Sequence, residues 1–120
     1  MIPQLSPSNF AAWRDRAHAN APAALPVVLD VREPWELQTA SVKPDGFTLL
    51  QIPMREIQAR LAELQQAHNN SQPMACLCHH GMRSLQVANF LRQSGFTEVV
   101  NLQGGIDAWS QQLDASVPRY

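Results

Sequence analysis

Four short runs in this chain are almost continuously apolar and rich in β-branched residues: Val27-Val28-Leu29-Asp30-Val31, Phe47 to Ile52, Met74-Ala75-Cys76-Leu77-Cys78 and Val99-Val100-Asn101-Leu102. A strand with one wet face alternates apolar and polar residues. A strand that does not alternate is buried on both faces, which is the signature of a parallel sheet covered by helices. The segments between these runs read as helices. Ser6-Pro7 opens one with Phe10, Trp13 and Ala17 on a shared face, and a short one spans Glu33 to Thr39. A long one spans Met54 to His68, with Ile57, Leu61 and Leu64 in register. Arg83 to Gln93 follows, with Ser94-Gly95 at its C-terminus, and then Ile106 to Leu113. Ile2 to Leu5 adds an edge strand, since Pro3 has no place in a central one. The expected fold is α/β: one domain with a five-stranded parallel sheet flanked by helices on both faces.

The totals exclude several classes of function. At 120 residues the chain fits one domain, residues 1–120, large enough to fold without a metal or disulfide. The net charge is −1 and there is no Lys/Arg run, which argues against a nucleic-acid partner. No segment approaches the roughly 20 apolar residues that span a bilayer. Met1 to Pro7 lacks the basic start and apolar core of a cleaved signal, so the cytoplasm is the expected compartment. Cys76 and Cys78 stand too close to form an unstrained disulfide. Nothing in the sequence fixes the oligomeric state.

In open parallel sheets the ligand crevice lies at the carboxyl ends of the strands, where Asp30 and Cys78 are expected. Cys78 ends a buried strand, and Cys78-His79-His80-Gly81-Met82-Arg83-Ser84 then turns into a helix. Gly81 supplies the freedom for a sharp reversal. Successive amides in such a turn, with the helix N-terminus behind them, make an anion cradle, and Arg83 adds a cation. Ser84 can add a hydroxyl donor, or simply occupy the first helical turn. A thiol there becomes acidic: helix N-termini and basic neighbours take cysteine from about 8.5 to roughly 3.5–7.5. The same donors would stabilise a persulfide anion and an incoming oxyanion. The plainer alternative is a structural cysteine, and that is the reading given to Cys76, which lies deeper on the same side of the strand with at most a resolving role.

Three segments together resemble the rhodanese family: Leu29-Asp30-Val31-Arg32-Glu33, the Cys78 to Ser84 loop, and Leu102-Gln103-Gly104-Gly105-Ile106-Asp107-Ala108-Trp109. The resemblance runs from about residue 5 to 113 and leaves a short tail, 114–120. It implies a ping-pong sulfurtransferase. Cys78 would take sulfane sulfur from a small anionic donor such as thiosulfate, hold it as a persulfide, and pass it to cyanide, a thiol or a protein acceptor. It implies no metal and no organic cofactor. Related phosphatases separate Cys from Arg by five residues. Four separate Cys78 from Arg83, which is tight for a phosphoryl group. The chain departs from the family at Thr39-Ala40-Ser41-Val42-Lys43-Pro44-Asp45-Gly46, where members often carry Gly-His-Ile. A regulatory or binding module without turnover is the alternative from another class, although retention of Cys78, Gly81 and Arg83 argues for catalysis.

The remaining candidates support the site. His79, His80, Gly81, Met82 and Arg83 are the expected substrate-binding loop, with both imidazoles shaping it; zinc-type ligand spacing is missing. Asp30 is expected to orient Arg83 or cap loop amides. Arg32 either attracts the donor or pairs with Glu33 or Glu36. Gly104 and Gly105 either let the backbone pass near the active loop or form an ordinary turn. Trp13 and Trp109 are expected in the core, Trp35 at the crevice rim, and His18 and His68 on exposed helix surface.

Overall fold

A computed structural model describes residues 1–120. The elements are β1 (Gln4–Leu5), α1 (Phe10–Asn20), β2 (Val27–Asp30), α2 (Pro34–Thr39), β3 (Thr48–Gln51), α3 (Leu61–Ala67), β4 (Met74–Leu77), α4 (Met82–Gln93), β5 (Val99–Leu102) and α5 (Gly105–Gln112). Single 3₁₀ turns at Pro7–Asn9 and Met54–Glu56 precede α1 and α3. The five strands form one sheet in the order β1-β5-β4-β2-β3, and every pairing is parallel. The expected architecture is the observed one.

Alternation along the strands divides the core into two layers. Val27, Leu29 and Val31 of the β2 run, with Met74, Cys76 and Cys78 of the β4 run, face Leu64 of α3 and Val87, Ala88 and Leu91 of α4. Val28, Ala75 and Leu77 face the opposite way, onto Phe10 of α1 and Ile106 and Trp109 of α5. Each of these strand side chains is out of contact with solvent. At roughly 1.5–3 kcal/mol for a fully buried large aliphatic side chain, this double-faced burial is what fixes the sheet between two helical layers. Trp109 is in the core as expected, whereas Trp13 is only half-buried against it.

β4 is the middle strand, so its carboxyl end opens at the centre of the sheet edge. Asp30 pairs in register with Leu77, which brings the end of β2 alongside the start of the Cys78 loop.

The long helix expected over Met54 to His68 is broken. A 3₁₀ turn at Met54–Glu56 is followed by turns, and only Leu61–Ala67 is α-helical. The Arg60 amide is shared between the carbonyls of Glu56 and Ile57 (3.0 and 3.2 Å), so the chain tightens where a helix would run on. Ile57 and Leu64 are still buried on one face. Hydrophobic spacing reports the buried face, and over one turn a 3₁₀ and an α conformation satisfy it equally. His68 accordingly caps α3 and is half-buried, its Nδ1 3.1 Å from Gln72 Oε1, while His18 is exposed.

Candidate active site

Cys78 leaves β4 with its Sγ buried and accepts a hydrogen bond from the Gly81 amide (3.1 Å). The Ser84 hydroxyl lies 3.3 Å from the same sulfur. Gly81 makes this possible because its φ of +103° is open to glycine and strained for other residues. The loop is braced from below by α5: the amides of Ile106 and Asp107 donate to the carbonyls of Cys78 (2.8 Å) and His79 (3.2 Å). Gly105, at φ +63°, passes so close that a Cβ would collide with both of those carbonyl oxygens. Of the two readings for the glycine pair, the structure assigns Gly105 to close backbone approach.

The expected ring of amides around the sulfur takes a different form. Only the Gly81 amide is bonded to Sγ, while the amides of His79, His80, Met82 and Arg83 have no protein acceptor. The first turn of α4 supplies two of these, as helix starts do. Behind the loop, Asn101 of β5 is buried and fully used. Its Oδ1 accepts from Ser84 Oγ (2.6 Å), and its Nδ2 donates to the Gly81 carbonyl (3.1 Å) and to Gln4 Oε1 (3.0 Å).

Asp30 and Arg32 depart from their expected roles. Arg32 is completely buried, and its partner is Asp30, at 2.7 Å, not Glu33 or the Glu36 carboxylate. Its other N–H groups reach the carbonyls of Glu36 (3.3 Å) and Ala40 (2.8 Å) and the Tyr120 hydroxyl (2.9 Å). With Nε on Asp30, all five of its donors are used and none remains for a substrate. Asp30 therefore does not orient Arg83. A buried charge requires its partner nearby, and two residues along the chain is the shortest route to one.

Arg83 is held by Glu36 instead, in a two-point pair of 2.6 and 2.9 Å. The same carboxylate accepts from the Glu33 amide (3.0 Å) and the Tyr120 hydroxyl (2.7 Å). The Arg83 hydrogen bonds, more than anything else, draw the Glu36 carboxyl down to about 2, against the opposing effect of burial. Burial beside Glu36 pushes the Tyr120 phenol up to about 12. Burial, with a contribution from Cys78, pushes the Cys76 thiol up to about 12, in keeping with a core role.

The rhodanese-like domain profile matches residues 12–112. The chain belongs to the rhodanese-like family. It is 39% identical over 93 residues to the rhodanese-like/PpiC domain-containing protein 12, chloroplastic, of Arabidopsis thaliana, covering 78% of the chain and 30% of that protein. It is 34% identical over 85 residues to a sulfurtransferase of Allochromatium vinosum, covering 71% of the chain and 72% of the relative. The crystal structure of a rhodanese-related protein from Thermoplasma volcanium superposes with a TM-score of 0.69 at 26% identity, over 92% and 93% of the two chains. The chain spans less than a third of the Arabidopsis protein's length. Relatives named as sulfurtransferases support an enzyme at the level of the family. No helix is long and apolar enough to cross a membrane, and one relative's name carries a plastid location.

Within this rhodanese-like domain the tail is part of the site region. Tyr120 stacks on His79 with ring centroids 3.9 Å apart, and His79 stacks in turn on His80 at the same separation. His79 Nε2 donates to the main-chain oxygen of Tyr120 (2.7 Å). Val117 is buried, its carbonyl held by Ser110 Oγ. Trp35 lies edge-on to Tyr120 and is 63% exposed, and Met82, next to Gly81 in the chain, is 71% exposed. The segment that departs from the family pattern, 39–46, packs inward through Ala40 and Val42, and Ala40 supplies a carbonyl to Arg32.

Glu36, Asn101 and Tyr120 were not legible as site residues. Asn101 carried a signal, as a polar residue inside an apolar strand. Glu36 stood three residues after Glu33 beside Pro34, a helix-start pattern that hides a second role. Tyr120 carried none.

Proposed function

We propose that this chain is a sulfurtransferase that carries sulfane sulfur on Cys78. The observation that carries the reading is the Gly81 amide, 3.1 Å from Sγ, at the head of a loop with four further amides lacking acceptors. The Cys78 thiolate attacks the outer sulfur of a donor, for which thiosulfate is the simplest probe. A new S–S bond forms to Cys78, the donor's S–S bond breaks, and sulfite leaves with the bonding pair. The Gly81 amide and Ser84 hydroxyl stabilise sulfur anions, while the loop amides of His79, His80, Met82 and Arg83 accommodate donor oxygens or the terminal persulfide sulfur. A thiol, protein thiol or cyanide acceptor then attacks the terminal sulfur and releases Cys78. Cys76, buried and hard to ionise, is a poor resolving thiol.

Intact-protein mass after incubation with a sulfane donor tests the reading. Wild type gains one sulfur, lost on addition of a thiol reductant, and Cys78→Ser gains none while keeping its fold. Failure of wild type to load from any sulfane donor would favour a binding module without turnover. Loading that persists in Cys78→Ser would remove Cys78 from the chemistry.

A further inference from the structure

The two arginines of the site region, Arg32 and Arg83, are each matched by a carboxylate. Arg32 is buried with every donor used and Asp30 as its partner. Arg83 lies in a two-point pair with Glu36, whose carboxylate is buried and also bonded by Tyr120 and the Glu33 amide. Further out, Asp107 pairs with Arg119 and lies in the field of both His79 and His80. Arg83 keeps N–H groups free for a hydrogen bond, but its charge is offset at a distance of one ion pair. The groups within hydrogen-bond reach of the sulfur are neutral dipoles, the Gly81 amide and the Ser84 hydroxyl, and the charge of Arg83 reaches it only alongside that of Glu36.

Neutral dipoles tolerate one added negative charge far better than three. Thiolate attack on thiosulfate gathers three negative charges at the reacting atoms: Cys78–S⁻ with ⁻S–SO₃⁻ gives Cys78–S–S⁻ and SO₃²⁻. Attack on an organic persulfide gathers one: Cys78–S⁻ with R–S–SH gives Cys78–S–SH and R–S⁻, the proton travelling with the transferred sulfur. Exposed apolar side chains suit the organic part: Trp35 and Met82 belong to α2 and α4, the two helices that the Arg83–Glu36 pair joins beside the loop.

Resting on the sulfurtransferase reading above, we infer that this site draws its sulfur from an organic persulfide in preference to an inorganic dianion. Glu36 sets that preference by holding the charge of Arg83. Glu36 is a positioning residue and touches no donor.

The test is the second-order rate constant for loading Cys78 with sulfur, followed by rapid quench and intact mass, with thiosulfate and with glutathione persulfide as probes. Wild type is expected to load from the persulfide at least about tenfold faster. Glu36→Gln, which removes the charge and keeps the shape, is expected to move the ratio about tenfold or more towards thiosulfate, the effect of one charge at short range. Equal or faster loading of wild type from thiosulfate overturns the inference, and so does an unchanged ratio in Glu36→Gln, since a merely structural role would slow both donors alike. If Glu36→Gln does not fold, the wild-type ratio decides alone. Loading from neither donor overturns the sulfurtransferase reading itself, an outcome distinct from loading with the opposite preference.

Discussion

Ser84 Oγ lies 2.6 Å from Asn101 Oδ1 and 3.3 Å from Cys78 Sγ, so a single buried hydroxyl proton faces two acceptors. While Cys78 is a thiol, its S–H can donate to Ser84 and Ser84 to Asn101. Once the sulfur is an anion, the hydroxyl serves it best by turning to it, and Asn101 keeps its place through the Gly81 carbonyl and Gln4. Removing the hydroxyl strands Asn101 Oδ1 in the interior. Ser84→Ala should therefore slow sulfur loading by about tenfold and cost about 1–3 kcal/mol of stability, the penalty of an unsatisfied buried acceptor. Loading rates and urea unfolding of one preparation check both. A variant with wild-type loading would confine Ser84 to a structural role.

Gly105 is the point where α5 meets the carbonyls of the Cys78 loop. Its φ of +63° and the collision awaiting any Cβ make Gly105→Ala a steric change rather than a propensity change. We expect a loss of about 2 kcal/mol or more in chemical denaturation, together with slower loading, because the loop must lift off the Ile106 and Asp107 amides. Gly46, just before the amino end of β3 whereas Cys78 follows the carboxyl end of β4, is the control. Its Cβ would meet only the flexible Arg14 side chain, so Gly46→Ala should leave loading unchanged.

Two cysteines separated by a single residue, and so on the same face of the strand, should react very differently. Cys76 is sealed in the core and its thiol is pushed up to about 12. Cys78 sits at the strand end beside the loop amides. A small thiosulfonate reagent added to the native chain should label Cys78 alone, with Cys76 labelled only after denaturation, as peptide mass mapping would reveal. Comparable native labelling at Cys76 would contradict the separation.

The Glu36–Arg83 pair gives the fold a component of acid sensitivity. Glu36 has a carboxyl near 2 in the folded chain against an ordinary 4.5, so the unfolded chain takes the proton first. Its stabilisation is complete above about pH 5 and drains away as the pH falls towards 2, by a total on the order of 3 kcal/mol. Denaturation curves collected from pH 7 to pH 2.5 should fall less steeply for Glu36→Gln than for wild type. Parallel curves would mean that other carboxylates carry the effect.

The sequence by itself determined the sheet. Apolar runs around Val27, Leu49, Ala75 and Val99 can satisfy their solvent-averse side chains only between two layers of helix, and that demand leaves a parallel order with Cys78 at a carboxyl edge. It also determined the reversal at Gly81, because the chain must turn within a few residues of a buried strand. What only the tertiary structure decided was which charge meets which. Asp30 and Arg32 pair with each other, while Arg83 finds Glu36 on α2 and Tyr120 folds back from the chain's far end. Local spacing governs backbone conformation over a turn or two. Partners 47 and 84 residues apart are set by how the helices pack, and no short-range pattern records that choice.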